Sequence, residues 1–450
     1  MYQNDTITGI ATATGIGGIA IIRVSGKNAE NIMNKVFSTK AQKPFKSHKM
    51  YYGFLMDDNT RVDECMAVIM RAPKSYTCED VFELHTHGGH EAAHQALRIC
   101  IEAGARLAEP GEFTKRAFLN GRIDLSQSEA VMAMISANGE SALKAASQQL
   151  EGMQSKLIQD SKQILIKALS GIEAAIDYPE EIEDTEAFGN LIPDLEELKA
   201  SMEDAIDERS ARIVRDGLQV VLCGNPNAGK STLFNMLLSS DRAIVTDIPG
   251  TTRDLIHGSI TLNGILINLI DTAGIRETDD PIEKIGVERA KKVIENADVV
   301  MLVVDGCQPL HKDDLNFILS KDDKNNAVII TKGDLPSLIS PEDIKAKTKN
   351  ITVLQTSSIN QSGLKELKEF LAEKALLPKT LFFTHTRHLD AAKAALSHIE
   401  KALEGAEMNI PLELISVDLK EALHYLGEIT GESVNEELID SIFANFCVGK

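Results

Sequence analysis

One octapeptide, Gly224-Asn225-Pro226-Asn227-Ala228-Gly229-Lys230-Ser231, restricts the fold of this chain more than any other segment. It fits G-x-x-x-x-G-K-[ST] in the context that spacing needs, with an apolar run at 218–223 before it and a helical pattern at 232–238 after it. Strand, glycine loop and helix in that order turn backbone amides and a helix N-terminus toward one point, which suits phosphate. Ala228, Gly229, Lys230, Ser231 and Thr232 then form the cradle. Lys230 reaches the β- and γ-phosphates, and the Ser231 hydroxyl is placed to hold Mg²⁺.

Beyond this loop, strands alternate with helices. The apolar stretches 299–304 and 327–330 read as strands, and 283–295 and Leu364–Lys374 as helices. Such alternation predicts a mostly parallel sheet covered on both faces. The flanks read differently. Residues 1–120 look α+β, with strands at 18–24 and 65–71 and a helix over 91–103 that stops at Gly104. From 125 to 176 apolar residues step by three and four, through Leu143, Ala146, Leu150, Met153 and Leu157 to Ile164, Leu169, Ile172 and Ile176. Pro179 ends that run, a second helical stretch covers 193–212, and the chain is helical again after 380. The predicted organisation is multidomain. An N-terminal α+β domain spans 1–120, and an all-α helical domain is split into 121–215 and 377–450. An α/β P-loop domain at 216–376 is inserted between the two parts of the helical domain.

Composition narrows the partners. A net charge of −20 argues against broad electrostatic binding of nucleic acid. Acid concentrates at 180–208, whereas Lys40, Lys43, Lys46 and Lys49 form a basic cluster beside Phe45, Tyr51 and Tyr52, read either as a solvated loop or as an RNA contact. Six cysteines without a C-x-x-C pair predict reduced thiols and a cytoplasmic location. No apolar run approaches the roughly 18 residues of a membrane span, and no secretory leader is expected.

Three further motifs follow the P-loop. Asp271-Thr272-Ala273-Gly274 closes the stretch 265–270, where Asp271 can hold Mg²⁺ through water and the Gly274 amide can reach a γ-phosphate. Asn263-Gly264 before it signals a hairpin turn. Thr251-Thr252-Arg253-Asp254 supplies a threonine to complete the Mg²⁺ shell. Thr331-Lys332-Gly333-Asp334 follows a strand, so Asp334 can accept from the N1–H and 2-amino group of guanine. Thr331 stands where Asn is usual, which alters one base contact. Ser357-Ser358 occupies the place of a base-edge loop. Together these motifs read as a GTPase domain of Ras-like type. Ile275 follows D-T-A-G where Ras-like proteins carry a water-orienting Gln, so intrinsic turnover is expected to be slow unless another group acts. Glu277, Arg276 and Glu283 are nearby charges. His85, His87, His90 and His94 invite a zinc reading, but no Cys or carboxylate completes a ligand set.

The whole chain resembles the MnmE (TrmE) family of tRNA-modification GTPases. The pieces that carry the resemblance run from Asn4-Asp5-Thr6-Ile7 and Tyr76-Thr77-Cys78-Glu79-Asp80 through His87-Gly88-Gly89 and Pro110-Gly111-Glu112-Phe113-Thr114. They continue in Arg116 to Leu125 and Glu173 to Pro179 and end in Phe446-Cys447-Val448-Gly449-Lys450. The resemblance implies G domains that dimerise across their nucleotides with K⁺ as activator. Asn227 matches a K⁺ ligand, Thr246, Ile248 and Thr251 complete its shell within the loop 246–252 (with Asp247, Pro249 and Gly250), and Thr252 matches the Mg²⁺ threonine. Glu283 matches the acid that positions the attacking water. The family adds an aminomethyl or carboxymethylaminomethyl group to the 5-position of the tRNA wobble uridine. It does so as a homodimer with MnmG, an FAD protein, and a folate (5-formyl- or methylene-tetrahydrofolate) supplies the one-carbon unit. Arg23, Glu83 and Lys450 match folate-contacting positions, Arg122 stands where some relatives carry Lys, and Cys447 lies in the family's terminal C-x-G-K. Glu83 can accept from a pterin's N–H groups, and Arg23 and Arg122 can face glutamate carboxylates. The alternative reading is a regulatory GTPase of ribosome assembly that binds rRNA and performs no modification.

Overall fold

The computed structural model describes residues 5–13, 15–178, 180, 184–239, 258–271, 292–320 and 323–449. The chain divides into two compact units, one of residues 1–132, 148–199 and 391–450 and one of residues 133–147 and 200–390.

The first unit contains a seven-stranded sheet: β1 (Ile7–Ile10), β2 (Ile19–Ser25), β3 (Phe37–Ser38), β4 (Met50–Asp57), β5 (Thr60–Met70), β6 (Val81–His87) and β7 (Arg106–Leu107). The strand order is β3-β4-β5-β6-β2-β1-β7, antiparallel except for β1 beside β7. Alternation decides its faces. Ala20, Ile22 and Val24 of β2 and Phe82 and Leu84 of β6 enter a core shared with helices Ala29–Val36 and His90–Glu102. The intervening positions, Arg23 and Glu83 among them, project from the opposite face, and the β2–β6 register sets these two directly across from one another.

The helical part of this unit is built around Met153–Asp177, which packs along Leu412–Thr430. The apolar stripe that predicts long helices from 125 is interrupted: Leu125–Ser136, Glu140–Leu150 and Met153–Asp177 are separate helices, the last entered through Gly152 in the left-handed region (φ 88°). The stretch expected at 193–212 also divides. A helix runs over Asp184–Ala205 with Pro193 inside it, and Asp207 then caps a new helix, Glu208–Asp216, by accepting from the Ser210 amide at 2.9 Å.

The second unit contains a six-stranded sheet: β8 (Leu218–Cys223), β9 (Gly258–Leu262), β10 (Ile265–Asp271), β11 (Val299–Asp305), β12 (Ala327–Thr331) and β13 (Thr352–Gln355). The order is β13-β12-β11-β8-β10-β9, and only β9 runs antiparallel to its neighbour. The parallel strands are apolar along nearly their whole length because both faces are covered, with Val220 and Leu222 in one core and Val300 and Leu302 in another. The β9–β10 hairpin turns at Asn263 (φ 50°) and Gly264 (φ 79°), as the Asn-Gly signal predicts. The helix Glu208–Asp216 buries Ala211 and Ile213 in this unit.

Candidate functional site

In an open α/β sheet, ligands lie at the carboxyl ends of the parallel strands. Here that edge collects the motif residues. β8 ends at Cys223 and passes into the loop 224–229, and the helix Lys230–Ser239 begins at the loop's lysine. Backbone geometry explains the loop's composition. Gly224 (φ 132°) and Gly229 (φ 95°) take left-handed conformations, and a Cβ on Gly224 would lie 2.2 Å from the Val303 carbonyl oxygen. Asn227 also adopts a positive φ, 63°, leaving its side chain exposed at the loop's tip.

Lys230 is buried, and its Nζ donates to the carbonyls of Gly224 and Asn225, each at 2.8 Å. The ammonium therefore sits inside the ring of loop backbone that the sequence assigns to phosphate. Burial lowers its pKa below the usual lysine value, against the opposing pull of Asp271. Asp271 ends β10, in register with Leu222 of β8, and accepts from the Ser231 hydroxyl at 3.2 Å. Two oxygen donors facing each other at the start of a helix fit a hard divalent cation such as Mg²⁺. Asn225, one residue into the loop, is held by Asp314 at 2.8 Å.

The residues that the sequence assigns to the base edge meet beyond the end of β12. The Asp334 carboxylate accepts from the Ser357 hydroxyl at 2.5 Å; Ser357 is buried, whereas Ser358 is exposed. Lys332 pairs with Asp305 at 2.6 Å; burial pushes the Asp305 carboxyl up, but Lys332 and the hydrogen bonds from Cys307 together hold it below its ordinary value. Thr331 has a more definite role than the sequence suggests. Its hydroxyl lies 2.6 Å from the Ala228 carbonyl and 3.0 Å from that of Val304, so its single proton ties the end of β12 to the phosphate loop rather than reaching outward. Gly229 packs against it, since a Cβ there would stand 3.3 Å from the Thr331 Oγ1. Asp305, Asp314 and this tether were not singled out by motif spacing. Asp305 and Thr331 are signalled only as the ends of apolar strands, and Asp314, within the helix Lys312–Ser320, has no sequence signal.

A second cluster forms on the free face of the first sheet. Arg23 Nε donates to Glu83 at 2.8 Å, and both side chains are largely buried. Burial pushes the Glu83 carboxyl up, but His85 and Arg23 outweigh it and hold the group below the ordinary glutamate value. Tyr76 joins the predicted residues. The Arg23 guanidinium lies 5.1 Å and that of Arg122 4.8 Å from its ring centroid, and Arg122 also donates to the Tyr76 carbonyl at 3.1 Å. Phe113 borders Arg23 at 5.7 Å. The terminal signature arrives at the same sheet, beside β1. The Gly111 amide donates to the Cys447 carbonyl at 3.3 Å, and a Cβ on Gly449 would fall 2.0 Å from the Ile10 carbonyl oxygen, so only glycine fits there. The Cys447 side chain is exposed. Arg23, Glu83 and Arg122 are thus brought together, with Tyr76 and Phe113 as members that charge-based reading missed. Thr246, Asp247, Ile248, Pro249, Gly250, Thr251, Thr252, Thr272, Ala273, Gly274, Glu283 and Lys450 lie outside the described residues.

Among the described residues no helix is long and apolar enough to cross a membrane. Residues 125–447 match the family description "MnmE helical domain", and residues 6–122 match "GTP-binding protein TrmE N-terminus". Among curated relatives, the tRNA modification GTPase MnmE of Streptococcus thermophilus is 42% identical over 449 residues, covering 99% of this chain and 98% of that protein. The protein of the same name from Lachnoclostridium phytofermentans is 42% identical over 459 residues and covers 100% of both chains. Among solved structures, the G domain of the T. maritima FeoB iron transporter shares 32% identity over 35% of this chain and 99% of its own, with a TM-score of 0.28.

Proposed function

The chain belongs to the MnmE family of tRNA modification GTPases, and from that premise we propose that it hydrolyses GTP in a complex that installs (carboxymethyl)aminomethyl groups at the 5-position of the tRNA wobble uridine. The observation that carries this reading is the arrangement of Lys230, the Ser231–Asp271 pair and the Asp334–Ser357 pair along one edge of the second sheet. Such an edge can neutralise a triphosphate, offer oxygen donors to Mg²⁺ and select guanine.

In hydrolysis, a water oxygen bonds to the γ-phosphorus as the bond to the β–γ bridging oxygen breaks, giving GDP and phosphate. Lys230 withdraws from the loop carbonyls to meet the phosphates. Glu283 positions the water, a task that Ile275 cannot perform. Asn227, with Thr246, Ile248 and Thr251, would hold K⁺, and Thr252 would join Ser231 on Mg²⁺. K⁺, when bound, supplies positive charge at the developing transition state. The G domains of two copies meet across their nucleotides to complete this site.

The Arg23–Glu83–Arg122–Tyr76 cluster suits a folate. A carboxylate flanked by cations and an aromatic ring can pair with a pterin edge while the arginines face glutamate carboxylates, with Cys447 and Lys450 as the further contacts that family membership implies. The bound folate supplies the one-carbon unit. An MnmG-like FAD protein, tRNA and a second copy of this chain are the proposed partners, in the cytoplasm.

Nucleoside analysis of tRNA from cells lacking the protein tests the reading. Loss of the modified wobble uridines is expected, whereas unchanged uridines with a ribosome-assembly defect would favour the regulatory alternative. GTPase rate in K⁺ and in Na⁺ tests the mechanism, because equal rates would remove the role given to Asn227. Glu283→Ala is expected to bind nucleotide and fail to hydrolyse it.

A further inference from the structure

The lysine cluster near residue 40 is absorbed by neither site. From residue 31 to 56 the chain carries five lysines and no Asp or Glu, in a protein whose net charge is −20. Lys40, Lys43, Lys46 and Lys49 are all exposed, and none of them makes an ion pair among the described residues. A solvated, shifting loop would account for that, but this loop is anchored at several points. Phe45 is buried in the sheet core, 4.9 Å from the Tyr51 ring. The Lys46 amide donates to the Tyr51 hydroxyl at 2.7 Å, the His48 amide to the Ile69 carbonyl at 2.8 Å, and the Arg71 amide to the Ser47 hydroxyl at 3.1 Å. Arg71 also donates to the Phe45 carbonyl at 2.8 Å and to Glu30, which neutralises the acid closest to the loop in sequence on its N-terminal side.

Tyr52 is exposed, but Phe45 and Tyr51 are anchors and not a stacking platform for bases. They position the charge instead. Lys43 Nζ lies 5.7 Å from the Phe45 ring centroid and Lys49 Nζ 5.5 Å from that of Tyr51, so two ammonium groups stand over one buried aromatic pair. We infer that this loop is a preformed contact surface for the phosphate backbone of a polyanion, and specifically of tRNA. The identification of tRNA rests on the function proposed above. The surface reads backbone charge more than sequence, because its four lysines present exposed ammonium groups, which meet phosphate as point charges. It also reconciles an acidic protein with an RNA substrate: the favourable field is local, within about one Debye length of the loop at physiological salt.

The test compares the full-length protein with a variant carrying Lys40→Gln, Lys43→Gln, Lys46→Gln and Lys49→Gln, using unfractionated tRNA and fluorescence anisotropy over a salt series. The variant is expected to lose at least about tenfold in affinity. Its slope of log affinity against log salt should be shallower by about 3, since each neutralised phosphate contributes about 0.7–0.9. GTP hydrolysis and thermal midpoint should be unchanged. Arginine at all four positions should retain the binding. Equal affinity and slope in wild type and the glutamine variant would overturn the surface alone. Wild-type protein that ignores tRNA but adsorbs to phosphatidylglycerol vesicles would overturn it in favour of a lipid surface. Binding to neither would overturn both the surface and the tRNA reading.

Discussion

The two candidate sites are made in opposite ways. In the second unit the candidate phosphate site is one short loop with glycines at the left-handed positions, flanked by residues that end parallel strands. In the first unit the cluster has no such loop. Arg23 and Glu83 are 60 residues apart and meet because β2 and β6 pair in a register that sets them opposite one another. Tyr76, Phe113 and Arg122 come from outside the strands. The phosphate site is therefore tolerant of side-chain change outside a few positions, while the cross-strand cluster depends on each charge having its partner. A buried ion pair broken on one side leaves an uncompensated charge, whereas an amide nest survives the loss of a neighbour.

Asp334→Asn gives the largest expected effect and is confined to the second unit. The carboxylate's two acceptor positions become one acceptor and one donor. GTP affinity should fall ~10²-fold while xanthosine triphosphate gains, because hydrogen bonds to a charged group contribute about 1.5–3 kcal/mol each. Competition binding with the two nucleotides checks it. Retained GTP preference would move guanine recognition away from the Asp334–Ser357 pair.

Glu83→Gln is the matching change in the first unit. It removes the charge that Arg23 faces at 2.8 Å and should weaken binding of a reduced folate by ~10-fold or more. GTP turnover should stay within twofold of wild type, an allowance of about 0.4 kcal/mol in barrier. Calorimetry with 5-formyltetrahydrofolate, alongside a phosphate-release assay, separates the two readouts. A parallel fall in turnover would mean that the clusters do not act as independent sites.

Legibility in the sequence follows the same division. The P-loop, Asp271 and Asp334 could be located because backbone requirements force particular residues at fixed short spacings. The inserted α/β unit followed from continuous apolar strands. What escaped was non-local. Nothing near residue 76 announces that its ring receives two guanidinium groups, since that depends on where the loop before β6 lies. The helical stripe was legible as amphipathic, but its interruption near Gly152 was not, because Leu150 and Met153 carry the apolar steps across that break. Asp207 was missed as a cap although Asp is a preferred N-cap, since the flanking pattern remained helical. Thr331 was legible as a departure from Asn, but not as a tether, because its acceptor lies 103 residues away.

Thr331→Val sharpens the comparison within the nucleotide site. Valine keeps the shape and removes the hydroxyl that holds the Ala228 carbonyl at 2.6 Å. Leaving a buried acceptor unpaired costs about 1–3 kcal/mol. Part of that falls on folding and part on nucleotide affinity, so GDP dissociation should quicken about 5–10-fold with little change in base preference. Stopped-flow release of a fluorescent GDP analogue measures it. A change in base preference instead would show that Thr331 reaches the base after all.

The smallest expected effect is a difference in acid sensitivity. In the first unit Asp5, Glu83 and Glu112 all lie below their ordinary values. Burial acts to raise each, and the facing groups outweigh it: Arg106 and Arg116 for Asp5, the same arginines with the Glu109 amide for Glu112, and His85 and Arg23 for Glu83. A carboxylate with a depressed folded-state value contributes stability that is complete above its unfolded value and is lost as pH falls through the folded one. The loss for this unit therefore begins below about pH 4.5, the ordinary glutamate value. In the second unit the described carboxylates with lowered values are Asp305 and Asp343, and the latter is exposed. Lys230 is depressed as well, and as a base whose folded value is lowered it contributes no acid-labile stabilisation of this kind. Hydrogen exchange at pH 5.5 and pH 3.5 should show the β2–β6 amides losing protection by a larger factor than the β8–β11 amides. Equal losses would mean that the paired charges of the first sheet add no more to its stability than solvated surface carboxylates do, and the contrast between a charge-dependent cluster and a backbone-built site would then have to rest on ligand binding alone.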